Sequence, residues 1–335
     1  MKARILLSLA CVSAAYGVDA ANGPQCDENV AIPVSASALN LDVPSSFSLS
    51  SLNTSDITGL LKSFPTTTVT GDYIIAGRYC EPAKPVADRH QTLQILPNGL
   101  LVCQVPFNAE TLHGVIEAAR AGQIGGRQFQ KIIWVGHSEG SLIGDSLAQR
   151  YPDDVDIYIQ TGWIPFLIIG GFGLIAAGGY IPAVLADTVK FAGVTDLTYL
   201  AGTNKGGVEG NFYAGPYSHQ VADYAFANRG TVTTGEFLTV FLGELPAPGY
   251  KGPLLAMNGE RDQAFCARLP TDPLVGYRGD CGEGSLSYTA LDQTLFPNAA
   301  PFEYVNLDDT GHNIGLHYTA QRNFIAHDFL AAQGY

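Results

Sequence analysis

Lys131-Ile132-Ile133-Trp134-Val135-Gly136-His137-Ser138-Glu139-Gly140 is the stretch on which the reading of this chain turns. Its first half is a β-branched apolar run without alternation, the pattern of a strand buried on both faces of a parallel sheet. It runs directly into G-x-S-x-G. Beyond that, Ser141 to Arg150 reads as a helix with Leu142, Ile143 and Leu147 inward. After the Pro152-Asp153-Asp154 turn, a further strand is expected at Val155 to Ile159. Strand, turn, helix, strand is a βαβ unit and points to an α/β fold with a mostly parallel sheet.

The pentapeptide alone is weak, because a chain with 38 glycines contains it by chance on the order of a few tenths of a time. Its setting makes it informative. A serine on a sharp turn between strand and helix is held in a strained backbone, and glycines two residues either side remove side chains that would clash. The hydroxyl then projects at the carboxyl edge of the sheet. A serine hydroxyl is a poor nucleophile and needs a base, and the base needs a carboxylate to hold its tautomer.

Both partners stand downstream. Asp262 follows the expected strand Pro253 to Met257, and His312 follows the expected strand Phe302 to Val305. The order Ser, Asp, His, with both partners in loops after strands, is that of a nucleophile-elbow hydrolase. Glu260, Asp308 and Asp309 are the alternatives for the acid, and His317 and His327 for the base. His137 reads as a packing residue of the elbow. The backbone N–H of Glu139, just after the serine, is the expected oxyanion donor.

Outward from this centre, strands are expected at Asp72 to Arg78 and Thr92 to Leu96, then a helix capped by Asn108 with Glu110 in its first turn. Residues 22 to 70, rich in Ser, Thr, Leu and Pro, read as an extended lead wrapping the core. Thr161 to Ala186 carries no charge and is long enough to be a membrane candidate. Its glycines and prolines, and the core strands on both sides, favour an apolar cap over a span, so no stable membrane span is expected. A last helix is expected over Asn313 to Ala332.

Of the 335 residues, 46% are hydrophobic and only 15% charged, which excludes a disordered chain. The formal charge of -13 argues against a nucleic-acid partner, whose phosphates would be repelled. Met1-Lys2-Ala3-Arg4, the apolar run Ile5 to Ala15 and small residues to Gly17 read as a secretory signal peptide, predicting a secreted, extracellular protein. Disulfides are then expected. Removal of Cys11 with the leader leaves five of the six cysteines; Cys266 and Cys281 would pair, Cys26 and Cys80 form a second candidate pair, and Cys103 is left over. Asn53-Thr54-Ser55 is a glycosylation candidate at Asn53.

The motifs together resemble those of secreted fungal α/β-hydrolases of lipase or esterase type: Tyr79-Cys80-Glu81-Pro82, the Gly136-His137-Ser138 elbow, Thr310-Gly311-His312 and an apolar cap. The resemblance runs from about residue 73 to residue 335. It implies an α/β-hydrolase fold with helices flanking the sheet and an inserted apolar helical cap. Residues 22–160 and 251–335 would form the core and 161–250 the cap, after a signal peptide at 1–17. It also implies a small apolar ester or lipid-like substrate, and neither cofactor nor metal.

One departure stands out. Such hydrolases follow their third strand with a His-Gly loop, a helix and a fourth strand, whereas here only the twelve residues Pro97 to Asn108 intervene before the next helix, and Leu96-Pro97-Asn98-Gly99 replaces His-Gly. The Glu139 donor is kept and the second oxyanion donor lost, a loss that costs about 10²- to 10³-fold in a well-studied protease. A shortened, catalytically impaired or inactive relative is therefore the alternative to an active serine esterase.

Overall fold

The computed structural model describes residues 25–44, 63–81, 91–97, 104–165, 177–240, 245–266 and 281–335. The expected signal peptide, Asn53 and Cys103 lie outside these residues.

Among the described residues five strands form the central sheet: β3 (Thr92–Ile95), β4 (Lys131–His137), β5 (Ile157–Thr161), β9 (Leu254–Gly259) and β10 (Phe302–Leu307), in the order β10-β9-β5-β4-β3 and all parallel. Alternate residues feed two apolar layers. Ile132, Trp134, Tyr158, Leu254 and Ala256 belong to one, with α1 (Val105–Arg120) and α2 (Glu139–Arg150). Ile133, Ile157, Ile159, Leu255 and Met257 belong to the other, with Phe329 of α7 (Phe324–Ala332). Burial on both faces is why β4, β5 and β9 read as largely apolar runs.

The N-terminal lead is an antiparallel ribbon of β1 (Gln25–Leu41) and β2 (Thr66–Glu81). On β1, Ile32, Val34, Ala36 and Ala38 are buried and the residues between them are exposed. Ile32 and Val34 share an apolar cluster with Val115 and Ile116 of α1, and Gly114 permits the approach, since a Cβ there would lie 3.0 Å from that of Val34.

The helix expected to start at Asn108 begins earlier. Pro106 occupies its first turn, where a missing N–H costs nothing, and Asn108 is fully buried within it. Glu110, not being in the first turn, instead accepts from Arg150 Nη1 and Tyr151 Oη, both at 2.7 Å, tying α1 to the end of α2.

Between β5 and β9 the chain leaves the sheet. This insertion has helices α3 (Ala183–Ala186), α4 (Lys205–Phe212), α5 (His219–Ala227) and α6 (Thr234–Thr239). It also has a small antiparallel sheet, β6 (Tyr180–Pro182), β7 (Tyr199–Gly202) and β8 (Val232–Thr233), so it is mixed rather than purely helical. Among the described residues no helix is long and apolar enough to cross a membrane; part of Thr161 to Ala186 lies outside them. The expected C-terminal helix is broken into 3-10 turns at Ile314–Leu316 and Tyr318–Asn323 before α7.

Candidate active site

β4 ends in His137, and Ser138 then adopts φ 57° and ψ -124° before α2 begins at Glu139. This is a left-handed conformation that non-glycine residues rarely hold and that surrounding structure must impose. The surroundings do so. A Cβ on Gly136 would lie 2.6 Å from Ser141 Cα, and one on Gly140 would overlap the Pro97 carbonyl oxygen. Ser138 N–H donates to the Thr161 carbonyl at 2.8 Å, anchoring the turn to the end of β5.

The loops after β9 and β10 meet beside this turn. Asp262 is fully buried, and its carboxylate is satisfied on both oxygens. Oδ1 accepts from Phe265 N–H at 3.0 Å, and Oδ2 accepts from His312 Nδ1–H at 2.8 Å. With the proton on Nδ1, His312 presents a lone pair on Nε2. The close crossing of the two loops depends on Gly259, where a Cβ would strike the Thr310 and Gly311 carbonyls.

A strained serine at the carboxyl end of a central parallel strand, an acid and a histidine after the last two strands of the sheet, and an insertion between β5 and β9 together define the architecture. The fold is that of the α/β-hydrolases.

Within this α/β-hydrolase fold, the rival residues are bonded elsewhere or exposed. Glu260 Oε2 accepts from Asp309 N–H, Asp309 pairs with Arg261 at 2.8 Å, and Asp308 is exposed. His327 lies exposed on α7, and both ring nitrogens of His317 bond main chain.

The ring of His312 is 1% exposed and sits among aromatics, with centroids 4.9 Å from Phe265, 5.3 Å from Phe212 and 4.9 Å from His137. His137, the residue before Ser138, bonds Thr161 Oγ1 at 3.0 Å. Burial, reinforced by the neighbouring His312, pushes its pKa down to about 3, so it is neutral at physiological pH. The structure thus brings Asp262 and His312 into contact and sets Ser138 on the same sheet edge. Among the described residues no hydrogen bond joins the Ser138 hydroxyl to the His312 ring.

Gly162 is a site residue that the sequence pattern did not mark. It follows β5 with φ 57°, and a Cβ there would lie 2.9 Å from His137 Cε1 and 3.0 Å from His312 Cε1. Pro97 is a second. Its carbonyl accepts from His137 N–H at 3.3 Å and lies against Gly140, so the chain leaving β3 crosses the elbow with an acceptor. Proline has no N–H to donate.

The Cys266–Cys281 disulfide is formed. Cys80 is also disulfide-bonded, and Cys26 stands opposite it in the β1–β2 register. Among the described residues no group of three His, Cys, Asp or Glu side chains is arranged to hold a metal ion.

No protein-family description matches the chain, and no curated protein matches it. Among solved structures it is similar to a thermophilic esterase from Thermogutta terrifontis, at 14% identity over 91% of this chain and 99% of that one, with a TM-score of 0.38. It is similar also to the monoacylglycerol lipase of Paleococcus ferrophilus, at 13% identity over 77% and 82% of the chains, TM-score 0.42. A bromoperoxidase from Bacillus anthracis aligns at 12% identity over 77% and 82%, TM-score 0.45.

Proposed function

We propose that this protein is a serine hydrolase that cleaves carboxylic esters with apolar acyl groups through an acyl-enzyme. The observation that carries the proposal is the buried Asp262–His312 hydrogen bond beside a serine held at φ 57°. Ser138 attacks the ester carbonyl, and His312 Nε2 takes the hydroxyl proton and returns it to the leaving alcohol. Asp262 holds the tautomer and stabilises the imidazolium. The N–H of Glu139, first residue of α2 and next to Ser138, would donate to the developing oxyanion. Water then resolves the acyl-enzyme by the reverse sequence. The aromatic surround of His312, Phe212 and Phe265, supports an apolar acyl site.

Pro97 favours a second reading, in which the oxyanion site is half-built and turnover is slow or absent. A fluorophosphonate probe with an ester-turnover assay separates the two. Labelling at Ser138 with turnover supports the enzyme; labelling without turnover supports the impaired form; no labelling of the folded protein removes the enzyme and leaves the inactive form.

The basic and apolar N-terminus, the disulfides and the Asn53 sequon support export. Recovery of the protein from culture medium without detergent, as a species starting beyond residue 17, tests that part.

A further inference from the structure

His317 is 4% exposed and spends both ring nitrogens on main chain. Nδ1 lies 2.8 Å from the Asn313 carbonyl oxygen, which only accepts, so Nδ1 carries the proton. Nε2 accepts from Gly311 N–H at 3.1 Å and from Ala214 N–H at 3.2 Å. Gly311 and Asn313 flank His312 in sequence, and Ala214 belongs to the insertion. One ring therefore joins three pieces of the chain: the main chain before the base, the main chain after it, and the cap.

The two segments run against each other on both sides of this ring. Asn313 N–H donates to the Phe212 carbonyl at 3.0 Å and Tyr318 N–H to that of Pro216 at 2.9 Å, and Tyr217 and His317 form an antiparallel bridge. The approach leaves no room for side chains. A Cβ on Gly311 would lie 2.6 Å from Ala214 N, and one on Gly215 would overlap the Asp309 carbonyl.

We propose that His317 is a positioning residue for His312: a neutral imidazole that clamps the loop carrying the base to the cap segment Phe212 to Tyr217. The inference rests on the reading of His312 as the general base. Its own lone pair is filled by two N–H donors, so His317 is not itself a base. A proton on Nε2 would face those donors and break the clamp. Burial and the nearby His312 both hold its pKa below the ordinary histidine value. The groups around it are Tyr213 and Tyr217 from the cap, at ring centroids of 5.7 and 5.9 Å, and His312 from the core. Glu209 and His219 lie behind Tyr217, where Glu209 is engaged by both Tyr217 Oη and His219 Nδ1.

The test compares wild type, H317A and H317Q on a short p-nitrophenyl ester, with folding checked by circular dichroism. H317A is expected to lower kcat on the order of 10²-fold with KM little changed, as a displaced base would. H317Q, whose amide can accept without titrating, is expected to restore most of kcat and to show a shallower acid limb than wild type. A folded H317A with wild-type kcat, or an H317Q acid limb as steep as that of the wild type, overturns the proposal. Wild type without turnover, or turnover surviving Ser138→Ala, instead removes the hydrolase reading. Imidazole ¹⁵N spectra then still decide on His317, expected neutral with the proton on Nδ1; a ring protonated on Nε2 contradicts the clamp.

Discussion

Asp262 Oδ2 lies 2.8 Å from His312 Nδ1, and the two side chains are 0% and 1% exposed. A carboxylate only accepts, so this contact fixes which ring nitrogen carries the proton. In Asp262→Asn, Oδ1 still accepts from Phe265 N–H, and the amide N–H faces His312 and demands the opposite tautomer. The expected result is a folded protein with kcat lowered about 10⁴-fold, as for the equivalent change in a serine protease. Steady-state kinetics beside a thermal melt check it.

Gly162 carries a positive φ and gives way to two histidines. Gly162→Ala pays twice, in backbone strain and in a Cβ pressed on the His312 ring. Its kcat is expected to fall by about 10²-fold or more through misplacement of the base. A variant with unchanged kcat would show that the ring tolerates displacement.

Cys266 and Cys281 are separated by 15 residues and back the acid loop: Cys266 N–H donates to the Asp262 carbonyl and Cys281 N–H to that of Glu260, both at 2.9 Å. Closing a loop of this length contributes about 3 kcal/mol in the chain-entropy model. The double variant Cys266→Ser, Cys281→Ser should lose stability of that order in urea unfolding. It should also lose activity below its melting temperature, because Asp262 loosens first.

His137 titrates at about 3 when folded, against an ordinary value of 6.5. The unfolded chain therefore takes up a proton at this side chain below about pH 6.5 that the folded chain refuses until about pH 3. Stability is lost as pH falls through that window. His137→Gln should flatten this decline, read as a smaller shift of the urea midpoint between pH 7 and about 4.5.

The elbow was legible because a strained serine between strand and helix demands glycines at fixed offsets, and those glycines are written into the sequence. The Asp262–His312 pair was legible by order after strands but not by spacing, and only the loop geometry separates Asp262 from Glu260, which turns to Asp309. β1 escaped notice because half of its inward set is alanine and its outward set includes Ala31 and Pro33, leaving little contrast. The cap strands, two to four residues long, are too short to show a period. Gly162 acts through its approach to two histidine rings and His317 through main chain of distant segments, for which no local pattern exists.

The most direct test is hydrolysis of p-nitrophenyl esters of graded chain length by the purified protein and its Ser138→Ala variant, side by side. The account predicts turnover by the wild type, favouring apolar acyl chains, and none above background in the variant. Equal turnover by both proteins would contradict it.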